Sequence, residues 1–458
     1  MEKHRESHPQ QTKLGRRVIL FPFPLQGHIN PMLQLASILH SRGFPITIIH
    51  TNFNSPNSSN YPHFNFCSFP DGLSEIEAST ADVVSLVSLV NVKCVVPFQD
   101  CLAKVMSNVD DDHQEDSSTG CLIADAAWKF IQAVPESCKL RWIILRTTSI
   151  CSFLAFAALP HLHDRDSESE ALLPELPPLR VKDLPIIKTN QPETFDELVL
   201  ELVINQIQVS SGVIWNSFQE LEQDALIKLH QDFPIPMFLI GPFHKYFPAS
   251  SSSLLSQDQT SISWLDKQAP KSVIYVSFGS IAKVNKTEFL EIAWGLANTN
   301  LPFLWVVRPG LVHGAEWIEL LPKGFLETIT GRGHIVEWAP QQQVLAHPAT
   351  GGFWTHCGWN STMESICEGV PMICQPCFGD QKVNARYVSD VWRVGLHLER
   401  RLERGEIEKA IRRLMVEIEG QEMRERIISL KEKVDVCLRQ GGSSHQALEN
   451  LINYIMSL

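Results

Sequence analysis

Positive charge and long apolar runs are the two things this 458-residue sequence has least of. Lys and Arg number 39 against 51 Asp and Glu, a formal net charge of −12, with a sequence pI near 5.8. That balance does not supply the clustered cations of a nucleic-acid or anionic-membrane surface. No stretch of 18 apolar residues occurs, so no spanning helix and no stable membrane insertion are expected. Residues 1–17 are polar, and the apolar run behind them, Val18–Leu25, is short and carries Pro22 and Pro24. A secretory leader needs a longer apolar core and a small-residue cleavage site. A cytoplasmic location is expected, with the N-x-S/T triplets at Asn57, Asn285 and Asn360 unglycosylated.

A disulfide framework is missing too. The 11 cysteines are odd in number and irregularly spaced from Cys67 to Cys437, which reads as free thiols in a reducing compartment. Cys374 and Cys377 form the one C-x-x-C. It closes an apolar strand and has no second pair or histidines at zinc spacing, so neither a metal site nor a redox pair is expected. No G-x-G-x-x-G follows the first strand of either half, which counts against a nicotinamide oxidoreductase, and no G-x-x-x-x-G-K-[ST] exists to make a P-loop.

What is present is an ordinary globular composition, 44% hydrophobic and 20% charged with a mean hydropathy of −0.05, long enough for two or three domains. Strand and helix patterns alternate. Arg17–Phe23 reads as a buried strand. A turn, Leu25-Gln-Gly-His28, follows, and then Asn30 as N-cap with Pro31 at the first helical position, opening a helix that ends at Gly43. Pro45–His50, Cys121–Asp125 and Trp142–Arg146 are further strands, Ile150–Leu159 an apolar helix, and Asp110–Ser118 and Ser167–Asp183 surface connections. After the serine run at 247–256 the alternation restarts through Ser272–Ser277, Pro302–Val307, Ile335–Trp338, Gly351–Thr355, Val370–Cys374 and Val394–Leu398. Residues 406–458 read as helical, with breaks at Gly420 and Gly441-Gly442. The fold class is therefore α/β, with two Rossmann-like, doubly wound domains facing across a cleft. The boundaries are a flexible tail at 1–16, a first domain at 17–246, a linker at 247–262, a second domain at 263–440 and a final helix at 441–458.

Two constellations carry chemistry. His28 follows the first strand and Asp125 ends a later strand of the same domain, so both belong on the carboxyl rim where open α/β sheets bind ligands. A carboxylate beside an imidazole fixes its tautomer and stabilises the imidazolium; a helix-start histidine and an N-capping aspartate are the plain alternatives. The second is Trp354-Thr-His-Cys-Gly-Trp-Asn-Ser-Thr-Met-Glu364. A strand turns tightly at Gly358 into a helix capped by Asn360 or Ser361, and free backbone N–H groups with His356 make an anion site. Glu364, one turn on, suits ribose hydroxyls; an ordinary capped helix is the alternative.

The segment from Trp338-Ala-Pro-Gln-Gln-Gln-Val-Leu-Ala-His through Gly-Gly-Phe-Trp-Thr-His-Cys-Gly-Trp-Asn-Ser and Glu-Gly-Val-Pro-Met to Phe-Gly-Asp-Gln381 resembles the donor-binding signature of plant family 1 UDP-glycosyltransferases. Phe21–Pro31, the Asp125 strand and Tyr275–Ser280 match as well. The resemblance implies a GT-B fold with an acceptor-binding first domain and a UDP-sugar-binding second domain, and a last helix that packs back on the first. It implies that Trp338 stacks on uracil, the Ala339 backbone pairs with its edge, and Gln341 and Glu364 hold the ribose. Ser280, His356, Asn360 and Ser361, at the Gly358 turn, would hold the diphosphate. Trp359, Asp380, Gln381 and Thr147 would meet the sugar, with His28 the general base and Asp125 its partner. The reaction implied is a single inverting displacement without a metal or other cofactor, unlike the paired carboxylates of a glycosidase. The donor implied is UDP-glucose, since the segment ends in glutamine.

For the acceptor, the chain looks closest to the subfamily acting on salicylic and branched-chain hydroxy acids, with relatives acting on diterpenoid glycosides and cytokinins. Residues 53–64 and 241–246 carry that likeness. The partners implied are thus a UDP-sugar and a small plant metabolite, glucosylated at a hydroxyl or carboxyl by a monomer. His28, Gly379 and Arg146 are the acceptor-side candidates. Arg146 ends a strand beside Thr147: it is either a solvated or ion-paired arginine or, if its side chain enters the pocket, a bidentate clamp for a carboxylate. Ile150–Leu159 supplies an apolar wall. A nucleotide-sugar binding protein without catalysis is the alternative from another class.

Overall fold

A computed structural model describes residues 16–458, apart from 75–76, 78–81, 108–118, 134–139, 163–165, 167, 248–252, 313–316 and 400–401. The expected loop at 110–118 and half of the serine run fall outside those residues. Strands β1 (Arg17–Phe21), β2 (Ile46–Thr51), β3 (Asn65–Phe69), β4 (Thr119–Asp125), β5 (Trp142–Arg146), β6 (Val213–Trp215) and β7 (Met237–Leu239) form one sheet in the order 3-2-1-4-5-6-7. Strands β8 (Val273–Ser277), β9 (Phe303–Val306), β10 (Gly333–Val336), β11 (Thr350–Thr355), β12 (Met372–Cys374) and β13 (Gly395–His397) form the other, ordered 10-9-8-11-12-13. Every ladder is parallel. Helices cover both faces, so the central strands β1, β5 and β8 read as near-continuous apolar runs and are almost wholly buried.

Strand order reverses between β1 and β4 in the first sheet and between β8 and β11 in the second. Chains leaving a reversal point diverge to opposite faces and open a crevice at the carboxyl ends of the strands. The helices that matter to it are α1 (Gln26–Ser41), α2 (Val83–Lys93), α3 (Ile150–Ala158) and α4 (Pro192–Val199) in the first domain. In the second they are α5 (Lys286–Asn298), α6 (Gln341–Ala346), α7 (Trp359–Glu368) and α8 (Gln381–Arg386). The tail forms α9 (Arg404–Met415), α10 (Ile418–Leu438) and α11 (Ser443–Ser457). Leu448, Leu451 and Ile455 of α11 are buried in the first domain's core with Val18, Leu20 and Ile143.

Four expectations need correction. Helix α1 starts at Gln26 rather than after Asn30, so Pro31 lies inside it and His28 is in its first turn. Proline has no N–H for the carbonyl of Gly27, four residues back. That carbonyl is satisfied instead by Asn360 Nδ2 of the second domain, at 2.8 Å, which is how the helix tolerates the proline. Gly420 is no break: α10 runs through it, and the interruption is at Val416-Glu417. A side chain there would collide with the backbone of Arg413 and Leu414, so close packing of α9 on α10 demands glycine. Residues 168–183 are not a plain surface connection, since Leu173, Leu176, Leu179, Val181 and Asp183 are buried. Nor do Asn360 and Ser361 cap α7; Gly358 is its N-cap, and the left-handed turn residue is Cys357, at φ 66°.

Candidate active site

His28 and Asp125 meet. They come from the two strands that flank the first reversal point, one a short turn past β1 and the other the last residue of β4. His28 Nδ1 lies 2.9 Å from Asp125 Oδ2, and Thr147 Oγ1 stands 3.3 Å from the same nitrogen. The other carboxylate oxygen accepts the Ala127 N–H at 2.9 Å, so Asp125, with a fully buried side chain, cannot swing away. A carboxylate at Nδ1 holds the proton there and leaves Nε2 with the lone pair. Burial alone would lower the His28 pKa; the charge and hydrogen bond of Asp125, aided by Asp380, outweigh it and hold the imidazole above its usual range. The ring is 27% exposed, enough to reach a ligand.

A cavity of about 370 Å³ spans the crevice between the domains. His28 and Thr147 line it from one side; Ser280, Trp338, Ala339, Gln341, His356, Gly358, Trp359, Asn360, Ser361, Glu364, Asp380 and Gln381 line it from the other. The first bond within α7 runs from Thr362 N–H to the Gly358 carbonyl, at 3.0 Å. The amides of Trp359, Asn360 and Ser361 therefore have no helical acceptor and, with the helix dipole, favour an anion. The His356 ring is wedged between two glycines: a Cβ at Gly279 or at Gly358 would lie 2.5 Å from it. Burial, with the charge of Arg308, lowers its pKa to about 4, so it is neutral at pH 7. Its Nδ1 is buried with no hydrogen-bond partner among the described residues.

Deeper in this cavity Glu364 accepts Gln341 Nε2 at 2.7 Å and Gln342 Nε2 at 3.0 Å, while Gln341 also reaches Ser361 Oγ at 3.0 Å. Burial raises the Glu364 pKa against those two bonds. Burial likewise pushes Asp380 up to about 6, opposed by a hydrogen bond from Asn384 and the charge of His28. Gln381 Oε1 is held by the Cys377 and Phe378 amides at 2.8 and 3.1 Å, leaving its amide nitrogen without a protein acceptor among the described residues. The indole N–H of Trp359 is committed to the Asn216 carbonyl of the first domain, at 2.8 Å.

A second cavity, about 180 Å³, lies behind His28 inside the first domain and shares His28, Thr147 and Thr148 with the first. Phe153 and Phe156 of α3 form one apolar wall. Further apolar walls come from α2 and from α4 with the turn of π-helix that continues it, Leu200–Asn205, and Asp125 with Ala126 and Ala127 closes the side next to His28. Arg146 lines this cavity. It is 6% exposed, neither solvated nor ion-paired with any described carboxylate. Its Nη2 donates to the Leu202 carbonyl, its Cζ sits 4.8 Å from the Phe153 ring centroid, and its Nε has no partner among the described residues. Burial brings its pKa down to about 9 against the attraction of Asp125, and it is still charged at pH 7. Gly379 lines neither cavity; a Cβ there would first meet Ile187, at 3.8 Å.

The reading from sequence passed over Gln342, Thr148 and the α2 and α4 walls. The α4 signal was available: Phe195, Leu198, Val199, Leu202 and Val203 recur at helical spacing on one face. No group of three or more His, Cys, Asp or Glu among the described residues is placed to hold a metal.

Comparison with known proteins gives a consistent answer. The family described as UDP-glucoronosyl and UDP-glucosyl transferase matches residues 227–432. The chain is 56% identical over 446 residues to UDP-glycosyltransferase 76B1 of Arabidopsis thaliana, covering 96% of this chain and 98% of that one. It is 48% identical over 453 residues to UDP-glycosyltransferase 76G1 of Stevia rebaudiana, with 97% of each chain covered. Among solved structures, it is similar to a Polygonum tinctorium UDP-glucosyltransferase capable of glucosylating indoxyl, at a TM-score of 0.83 and 28% identity over 98% of this chain and 100% of that one. It is also similar to Phytolacca americana UGT2 complexed with UDP-2fluoro-glucose and pterostilbene, at a TM-score of 0.81 and 26% identity over 96% and 99%.

Proposed function

The chain belongs to the plant UDP-glycosyltransferases, and from that premise we propose that it transfers glucose from UDP-glucose to a small hydroxy acid held in the inner cavity. The observation that carries the reading is the position of His28, which with Thr147 and Thr148 lies where the two cavities join. In this reading the nucleotide sugar fills the crevice. Trp338 stacks on the base, Gln341 and Glu364 hold the ribose, and the free amides of α7 with Ser280 and His356 hold the diphosphate. Asp380, Gln381 and Thr147 hold the sugar. Asn360 acts through its backbone, since its side chain is spent on Gly27, and Trp359 likewise.

His28 Nε2 takes the acceptor proton as the oxygen attacks the anomeric carbon from the face opposite the leaving UDP, and the configuration inverts. Asp125 keeps the tautomer and stabilises the imidazolium. The charge that builds on the departing diphosphate meets fixed dipoles already aimed at it. UDP-glucose as donor is supported by relatives described as glucosyltransferases.

Arg146 supports an acidic acceptor. A desolvated guanidinium in a mostly apolar chamber feels the charge of Asp125 but makes no ion pair with it, and an acceptor carboxylate would supply a direct one through a short charge-assisted pair. The chamber, at about 180 Å³, suits a small molecule. An acceptor panel with UDP-glucose tests both parts through UDP release. A hydroxy acid should outperform its methyl ester, and Arg146→Met should cost about tenfold or more on the acid and little on the ester. Equal losses on both would discard the clamp. His28→Ala should cost about 10²- to 10⁴-fold on an alcohol, and UDP release indifferent to it would remove the general base.

A further inference from the structure

Helix α8 opens beside Asp380 and Gln381, and one turn in it carries Asn384, which has no part in the reading above. Asn384 is 1% exposed. Its Oδ1 lies 3.0 Å from Ser149 Oγ and 3.1 Å from Ser152 Oγ, both in the first domain. Its Nδ2 donates to the Cys357 carbonyl at 3.0 Å and to Asp380 Oδ2 at 3.3 Å, both in the second. Every hydrogen-bonding capacity of the amide is thus taken up. Its orientation is fixed as well: a flip would set the amide oxygen against a carbonyl and a carboxylate, which can only accept.

Each partner stands next to something the reaction needs. Ser149 is the N-cap of α3, two residues past Thr147. Cys357 is the left-handed turn residue between His356 and Gly358. Asp380 lines the donor cavity, and the bond from Asn384 ties down one of its two oxygens. A side chain that grips both domains and both donor-side groups links the closure of the crevice to the geometry of the donor site.

We infer that Asn384 is a positioning residue that orients the Asp380 carboxylate and the Cys357 turn only while the first domain is docked, so that the donor sugar is gripped only in the closed crevice. This rests on the reading that Asp380 meets the sugar. The experiment compares UDP, which has no sugar, with UDP-glucose. Asn384→Leu should lower kcat/KM for UDP-glucose by about 10- to 100-fold, as expected for loss of a bond to a charged group, while the Kd of UDP shifts by less than about threefold. Asn384→Asp keeps the shape but faces Asp380 with a second acceptor. It should lose at least as much, and its acid limb in the pH profile should move to higher pH. The single variant Ser152→Ala, which spares the Ser149 cap of α3 and removes a first-domain bond to Asn384, should lower kcat in the same sense. Parallel loss of UDP and UDP-glucose binding in both Asn384 variants would mean a general collapse of the donor site and overturn the inference. Wild-type kcat in the serine variant would remove the interdomain link. Asp380→Asn at wild-type kcat/KM would instead overturn the underlying reading of Asp380.

Discussion

At the scale of single residues the proposed chemistry turns on which effect wins at His28. Burial favours the neutral ring, and Asp125 favours the charged one; Asp125 wins. A general base must be neutral before it can accept a proton, so kcat/KM for a neutral alcohol acceptor should rise with pH through a limb above the usual imidazole range. Asp125→Asn removes the main opposing charge and leaves burial opposed only by Asp380, so the limb should move to lower pH while the plateau falls about 10²- to 10⁴-fold. Asp380, pushed up to about 6, titrates lower and does not mask the shift. A limb that stays put in Asp125→Asn would show that His28 is not the group titrating. An acceptor reacting through an already ionised carboxylate needs no base at pH 7, and its rate should show little of this limb.

The pair was legible from sequence because His28 follows one apolar strand and Asp125 closes another, but their contact was not. Ninety-seven positions separate them, and only the strand order 2-1-4 makes β1 and β4 neighbours. The donor side was more legible because one short stretch of chain, 338–381, carries most of it. Arg146 shows the opposite case. Its position at a strand end was evident, whereas its burial needs Leu202, 56 positions further on, as well as Phe153 of the next helix.

At the scale of elements, α1 shows a local rule overridden by a tertiary contact. Asn30-Pro31 carries a helix-start signal, yet the helix begins at Gln26 and draws His28 into its first turn. What makes this possible is Asn360, reaching across the crevice to the Gly27 carbonyl that Pro31 cannot serve. Asn360→Ala should therefore destabilise the protein by about 1 kcal/mol, since it orphans a half-buried carbonyl. Pro31→Ala restores an N–H at the right position in the helix. Added to Asn360→Ala, it should recover a large part of the loss, seen as a shift in the urea midpoint at constant slope. Strict additivity of the two substitutions would show that Asn360 does not stand in for the missing donor.

At the scale of the whole molecule, the two domains are fastened at two places by unlike means. One is apolar: α11 leaves the second domain and buries Leu448, Leu451 and Ile455 in the core of the first. The other is ionic. Arg386, 4% exposed, grips Asp183 of the first domain through Nε at 2.9 Å and Nη2 at 3.0 Å, and Glu399 at 2.6 Å. Lys182, beside Asp183, crosses back to the same Glu399 at 2.6 Å. A serine-rich or acidic stretch in sequence gives no hint of such a clasp, because its partners lie about two hundred residues apart.

Arg386 ends the six-residue helix whose N-cap is Asp380, so the clasp and the proposed donor site share α8. The two partners of this buried pair do not contribute alike when removed singly. Arg386→Met leaves Asp183 buried and uncompensated and should cost about 3–5 kcal/mol. Arg386→Lys keeps the charge but not the two-pronged grip, and should lie between. The double variant Arg386→Met/Asp183→Leu removes both charges and should recover much of the stability in thermal or urea unfolding. It should nevertheless stay slow with UDP-glucose, because packing alone does not fix the register of α8 against the first domain. Full recovery of both stability and rate in that double variant would show that the ion pair adds nothing to alignment of the crevice.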